Sequence, residues 1–162
     1  MNSKRLTGLR TNVLAALIGL LIAFVLGTTL YGQIPKSAQG RGLLGAFGDA
    51  VIAGPILLSL HAIIGTLIVI SAATAVVRAI LTRSTRLIAL TSCALLCVLL
   101  AWLGGSSLAD TLAPGADRAM EWSTAGALLL YAVVLFLNTP SPAPNNDVLP
   151  PSQHDTPRQD QR

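Results

Sequence analysis

The chain has 162 residues, enough for one domain, of which 52% are hydrophobic and only 11% charged. A soluble domain carries about 25% charged residues, so composition argues against one. The formal net charge of +4 does not point to nucleic acid, because the basic residues stand at the ends of apolar segments, where they suit membrane topology and anionic headgroups.

No Asp, Glu, Lys or Arg occurs from Thr11 to Pro35, from Ala50 to Val77, from Leu87 to Ala109 or from Trp122 to Asn146. A membrane-spanning helix needs about 20 mostly apolar residues, and each window is long enough. The first predicted helix covers residues 11–31, between Arg10 and the Gly32/Pro35 stop. The apolar run inside it, Val13 to Leu30, exceeds the ~7–15 residues of a signal-peptide core and no small-x-small cleavage site follows, so it is expected to stay as an anchor. The glycine-rich stretch from Gln33 to Ala50 follows. Leu43, Leu44 and Phe47 leave two readings open, a short interfacial helix or a flexible loop.

The second predicted helix covers residues 51–79. It is longer than a ~30 Å hydrocarbon core requires and carries Pro55 in its first turns. A basic loop from Arg78 to Arg86 leads to the third helix, residues 87–103, which Gly104-Gly105-Ser106-Ser107 is expected to end. The fourth covers residues 119–137 and stops at Asn138 and Pro140. Residues 1–138 thus read as an all-α, four-transmembrane-helix bundle. Residues 139–162, rich in Pro, Asn, Asp and Gln, read as a disordered tail.

Lys4, Arg5, Arg10, Arg78, Arg83 and Arg86 lie on one side of this bundle, six in all, against three on the other, Lys36, Arg41 and Arg118. The richer side is expected in the cytoplasm, with the N and C termini. Asp49, Asp110, Asp117 and Glu121 then fall outside. Tyr31, Trp102 and Trp122 are expected at the outer helix ends as interfacial anchors.

His61 is the one candidate site residue. About ten residues into the predicted second helix, it would lie ~15 Å deep, near the bilayer midplane. An ionisable residue at that depth is a functional candidate. The same counting puts Tyr131 and Cys97 at its level, so the three are expected to be able to meet. The plainer reading is a neutral His61 that bonds one neighbouring group and holds two helices together. Haem ligation by His61 is the sharper one, since helical bundles hold haem between facing histidines. The other histidine, His154, lies in the tail, and Met120 counts as too shallow to complete the site. Haem bridging the His61 residues of a homodimer stays open.

Cys93 and Cys97 share a helix face deep in the bilayer, and buried thiols in apolar surroundings are inert packing residues. Two cysteines are also too few for a disulfide scaffold. A small multidrug exporter would need an intramembrane carboxylate, and the charge-free windows hold none. No Ser-His-Asp set, zinc motif or phosphate loop is present, so no catalytic or metal residue is assigned. Ser123 and Thr124 are expected to bond back to their own helix. Gly19, Gly27, Gly65 and Gly126 are expected at close helix contacts.

The run Gly54-Pro55-Ile56-Leu57-Leu58-Ser59-Leu60-His61-Ala62-Ile63-Ile64-Gly65 resembles the second helix of uncharacterised four-helix membrane proteins of actinobacteria. There too a Gly-Pro pair precedes a His-Ala-x-x-Gly. Helix count and the Gly-Gly-Ser end of the third helix are also similar. His-Ala-x-x-Gly on an apolar helix also looks like membrane b-type cytochromes, whose second haem histidine has no counterpart here. The resemblance implies a multi-pass protein of a bacterial plasma membrane and supplies no activity. The leading functional expectation is a non-enzymatic accessory or scaffolding subunit, without cofactor. Its partners would be the lipid bilayer and another membrane protein or a second copy. The alternative is a haem- or quinone-binding electron carrier using His61.

Overall fold

The computed structural model describes residues 3–30 and 33–137. Tyr31 and the expected disordered tail, residues 139–162, lie outside the described residues. The described elements are all helical: α1 (Ser3–Thr29), a 3-10 turn (Lys36–Ala38), α2 (Gly42–Ile52), α3 (Ile56–Thr82), α4 (Thr85–Thr111) and α5 (Pro114–Leu137).

Four of them, α1, α3, α4 and α5, are long and apolar enough to cross a membrane. Each turns a narrow seam inward. On α3 the seam is Ile68, Ala72, Ala75 and Ala79, and on α5 it is Thr124, Ala127, Tyr131 and Val134. On α1 it is Leu9, Val13, Ala16, Leu20 and Ala23. The steps alternate three and four residues, the ~3.5-residue spacing that suits shallow left-handed packing. The outward faces are apolar as well: Val25, Leu67, Leu96, Leu129 and Phe136 are all more than half exposed. Water would not tolerate such surface, whereas lipid does, as befits a multi-pass membrane protein.

Small residues and a few polar bonds set the pairing. α1 and α3 run antiparallel in contact, and the Arg78 guanidinium donates to the Gly8 carbonyl, which lacks a side chain to shield it. The Asn12 amide donates to the Ser71 carbonyl at 2.8 Å. Further along, a Cβ on Gly19 would stand 3.1 Å from Ile68. Between α4 and α5, a Cβ on Gly104 would stand 3.1 Å from the Ala116 carbonyl oxygen and 3.2 Å from the Met120 nitrogen.

Several expected boundaries move. α1 begins at Ser3, because Lys and Arg end the apolar span but are good helix formers. The 51–79 segment is two elements. Pro55 has no N–H, and its ring would clash with the carbonyl four residues back, so the chain breaks between Ile52 and Ile56 with Pro55 extended (φ −55°, ψ 148°). The Ser59 hydroxyl ties the break by donating to the Ala50 carbonyl at 3.3 Å. Gly104-Gly105-Ser106-Ser107 does not end the third span. α4 runs through it to Thr111, the glycines giving α5 its close approach and the Ser106 hydroxyl bonding back to Trp102 at 3.0 Å. α5 starts at Pro114, a residue suited to a first helical position, where no N–H is needed.

The stretch left open between helix and loop contains the helix α2. Its Ala46 and Ala50 are buried, while Leu44 and Ile52 are exposed. It packs on α4 and α3, and Phe47 meets Trp102 with ring centroids 5.2 Å apart. Asp110 of α4 fastens its start: the carboxylate accepts the Gly42 N–H at 2.9 Å and the backbone carbonyl accepts the Gly40 N–H at 3.1 Å. Gly40 and Gly42 both take φ +73°, which a side chain would resist.

Candidate functional site

Under α2, at the end of the bundle that carries Asp110, Asp117 and Glu121, the four long helices leave a partly open cavity of about 330 Å³. Its walls are mostly apolar, among them Leu20, Phe24, Leu58, Ile68 and Val98. Phe47 and Ala50 of α2 close it on one side, and Asp117 and Glu121, one turn apart on α5, also line it. The volume lies within the ~300–1,000 Å³ range of small-molecule sites.

His61 lines this cavity. Its ring is seated against α1, where a Cβ on Gly27 would stand 3.2 Å from Cε1. Its ring nitrogen Nδ1 is buried and has no partner. Trp102 lines the same cavity, and its Nε1 is likewise buried without a partner. Its Cδ1, bonded to Nε1, would stand 3.9 Å from a Cβ on Gly65, one turn along α3 from His61.

The expected depth of His61 is corrected. α3 starts at Ile56, so His61 is about 7.5 Å from the helix end and not near its middle. The expected meeting with Tyr131 does not occur in the cavity. Tyr131 lies far along α5 toward the opposite, arginine-rich end, fully buried in the main core. Its hydroxyl is also without a partner, but it does not line the cavity. Cys97 packs against Gly126 on α5. Cys93 is exposed on the helix surface and is not a packing residue.

Met120, expected at a level too shallow for His61, lines the same cavity. Its sulfur would stand 3.4 Å from a Cβ on Gly105. Trp102 is no anchor at a helix end: it lies well inside α4, against Phe47. Trp122 is exposed, but α5 starts at Pro114, so it too lies inside its helix and not at the expected end. Thr124 bonds back to the Met120 carbonyl at 2.7 Å, as expected. Sequence reasoning missed Trp102 as a wall residue, the carboxylates at the cavity and the Asn12 bond. A lone Asn in an apolar run was the available signal for the last. Among the described residues, no three of His, Cys, Asp and Glu converge as a metal site would require.

No protein-family model, curated protein or solved structure matches the chain.

Proposed function

We propose that this is a non-enzymatic membrane protein that holds one small amphiphile in the cavity beside His61, in a bacterial plasma membrane with the acid-bearing end outside. The observation that carries the reading is the pairing of two unpartnered buried nitrogens, His61 Nδ1 and Trp102 Nε1, with one mostly apolar cavity that both residues line. A buried polar atom without a partner costs about 1–3 kcal/mol, and a bound ligand with matching polar groups removes that cost. Such a holder can still serve as an accessory subunit of a larger membrane complex, and the cavity then supplies what the subunit brings.

Purification from native membranes, followed by solvent extraction and mass spectrometry, tests this. A co-purifying amphiphile near one per chain supports it. An extract containing only bulk lipid contradicts it. An absorption spectrum on the same sample separates the haem alternative: a Soret band would replace the amphiphile with haem at His61 and Met120.

A further inference from the structure

We infer that the ligand is a single-chain membrane lipid, taken from the bilayer through a lateral mouth between α1 and α5; this rests on the binding role above and names the ligand's source and class. Three residues that line the cavity are exposed: Phe24, Thr28 and Glu121. The first two belong to α1 and the third to α5. No lining residue of α2, α3 or α4 is exposed. The cover leaves the same side open, because α2 packs on α3 and α4. α1 and α5 share the main core toward the arginine-rich end, where Leu9, Val13, Tyr131 and Val134 are fully buried. They part only at the acid-bearing end.

Glycine contacts set the depth of this mouth. Gly19 faces Ile68 and Gly27 faces His61, so Phe24 stands near the level of Gly65. Gly65 in turn faces Trp102. Gly104 faces Met120 and Gly126 faces Cys97, so Glu121 stands near the level of Trp102. Mouth and indole thus share one level, with His61 one turn of α3 nearer the acid-bearing end.

α1 has 27 residues, or ~40 Å, close to the ~40–45 Å of a bilayer with its headgroup regions. Phe24 lies about 7.5 Å from the Thr29 end of that helix, near the edge of the hydrocarbon. An opening at that level between two spanning helices meets lipid. Deeper in the bundle the cavity wall is Leu20, Ile68 and Val98, all buried. At about 330 Å³ the cavity stands at the small end of small-molecule sites, with room for one hydrocarbon chain. A single-chain lipid places its tail on that wall and its polar group at the level of Glu121 and Trp102.

The test uses the full chain in lipid nanodiscs with Trp122→Phe, Cys93→Ser, Cys97→Ala and Glu121→Cys. The chain has two tryptophans and two cysteines, so Trp102 becomes the sole reporter and position 121 the sole thiol. Trp102 emission is read against lysophosphatidylcholine with a brominated chain, a quencher carried in lipid, and against acrylamide, a quencher carried in water. The brominated lysolipid should quench Trp102, and the unbrominated lysolipid should compete. Labelling Glu121→Cys with a bulky maleimide should remove most of the quenching. The same label on Leu67→Cys, with Glu121 retained, should leave it intact, since Leu67 is exposed on α3 and does not line the cavity. Thr28→Cys serves if Glu121→Cys does not accumulate. Quenching that ignores the label, or that only acrylamide achieves, would overturn the mouth. A brominated two-chain phosphatidylcholine that quenches as strongly through the same mouth would overturn the single chain. An amphiphile extracted beside a label-insensitive Trp102 would keep the binding role and reject this route to it.

Discussion

His61 seats against α1 because position 27 has no side chain: a Cβ on Gly27 would stand 3.2 Å from His61 Cε1. That contact holds the ring at the cavity wall. Gly27→Ala asks the ring to move by a few tenths of an ångström and should cost little. Gly27→Leu should expel the ring and destabilise the α1–α3 pair by about 1–3 kcal/mol. Thermal unfolding in detergent, followed by helical circular dichroism, checks both. Equal melting of the Leu variant and the parent would contradict the contact.

Asp110 caps α2 from another helix, through its bond to the Gly42 N–H. Loss of a capping side chain costs about 0.5–2 kcal/mol. Asp110→Ala should speed amide exchange across α2 and red-shift Trp102 emission as Phe47 loosens. Asp110→Asn keeps an acceptor and should behave nearly as the parent. An unchanged exchange pattern in the Ala variant would show that α2 is held by packing alone.

Gly104 lies against the backbone of α5, and backbone cannot swing aside as a side chain does. Gly104→Val should therefore part α4 from α5 at a cost of about 1–3 kcal/mol. Gly105→Ala faces only the flexible Met120 side chain at 3.4 Å and should be tolerated. Membrane abundance and melting of the two variants should separate clearly.

The proposed orientation rests on the basic residues at the α3–α4 turn. Reporter fusions after residue 83 and at the C-terminus should report cytoplasm, and reporters near Lys36 or Gly115 the outside. A single reporter on the wrong side breaks the four-span arrangement.

The number of spans was legible because charge stops where lipid begins, and hydropathy records that directly. The position of His61 was not. Val51, Ile52 and Ile56 flank Pro55 with equally apolar residues, so nothing in hydropathy marks the break. Pro55 suits a first helical turn as well as a helix break, and choosing the longer helix sank His61 by several residues. The glycines were legible as contacts, but their partners depend on register between helices distant in sequence. Gly104 and Gly105 looked like a stop because glycine ends helices in water. In lipid the unsatisfied backbone of a broken helix is too costly, and the same residues serve close packing instead. The cavity depends on α2 folding back over the bundle, held by Asp110, and no local pattern encodes that.

The most direct test of a ligand beside His61 is the native mass of the protein released from membranes, compared with Gly65→Leu. Gly65 lines the cavity, and a Cβ there meets Trp102 Cδ1 at an ordinary contact distance of 3.9 Å, so a leucine side chain must take its room from the cavity beside Trp102. The parent should carry one small-molecule adduct that collisional activation strips, and Gly65→Leu should fly at the bare chain mass while melting no lower. A parent already at the bare mass, or a leucine variant that keeps the same adduct, would contradict the account.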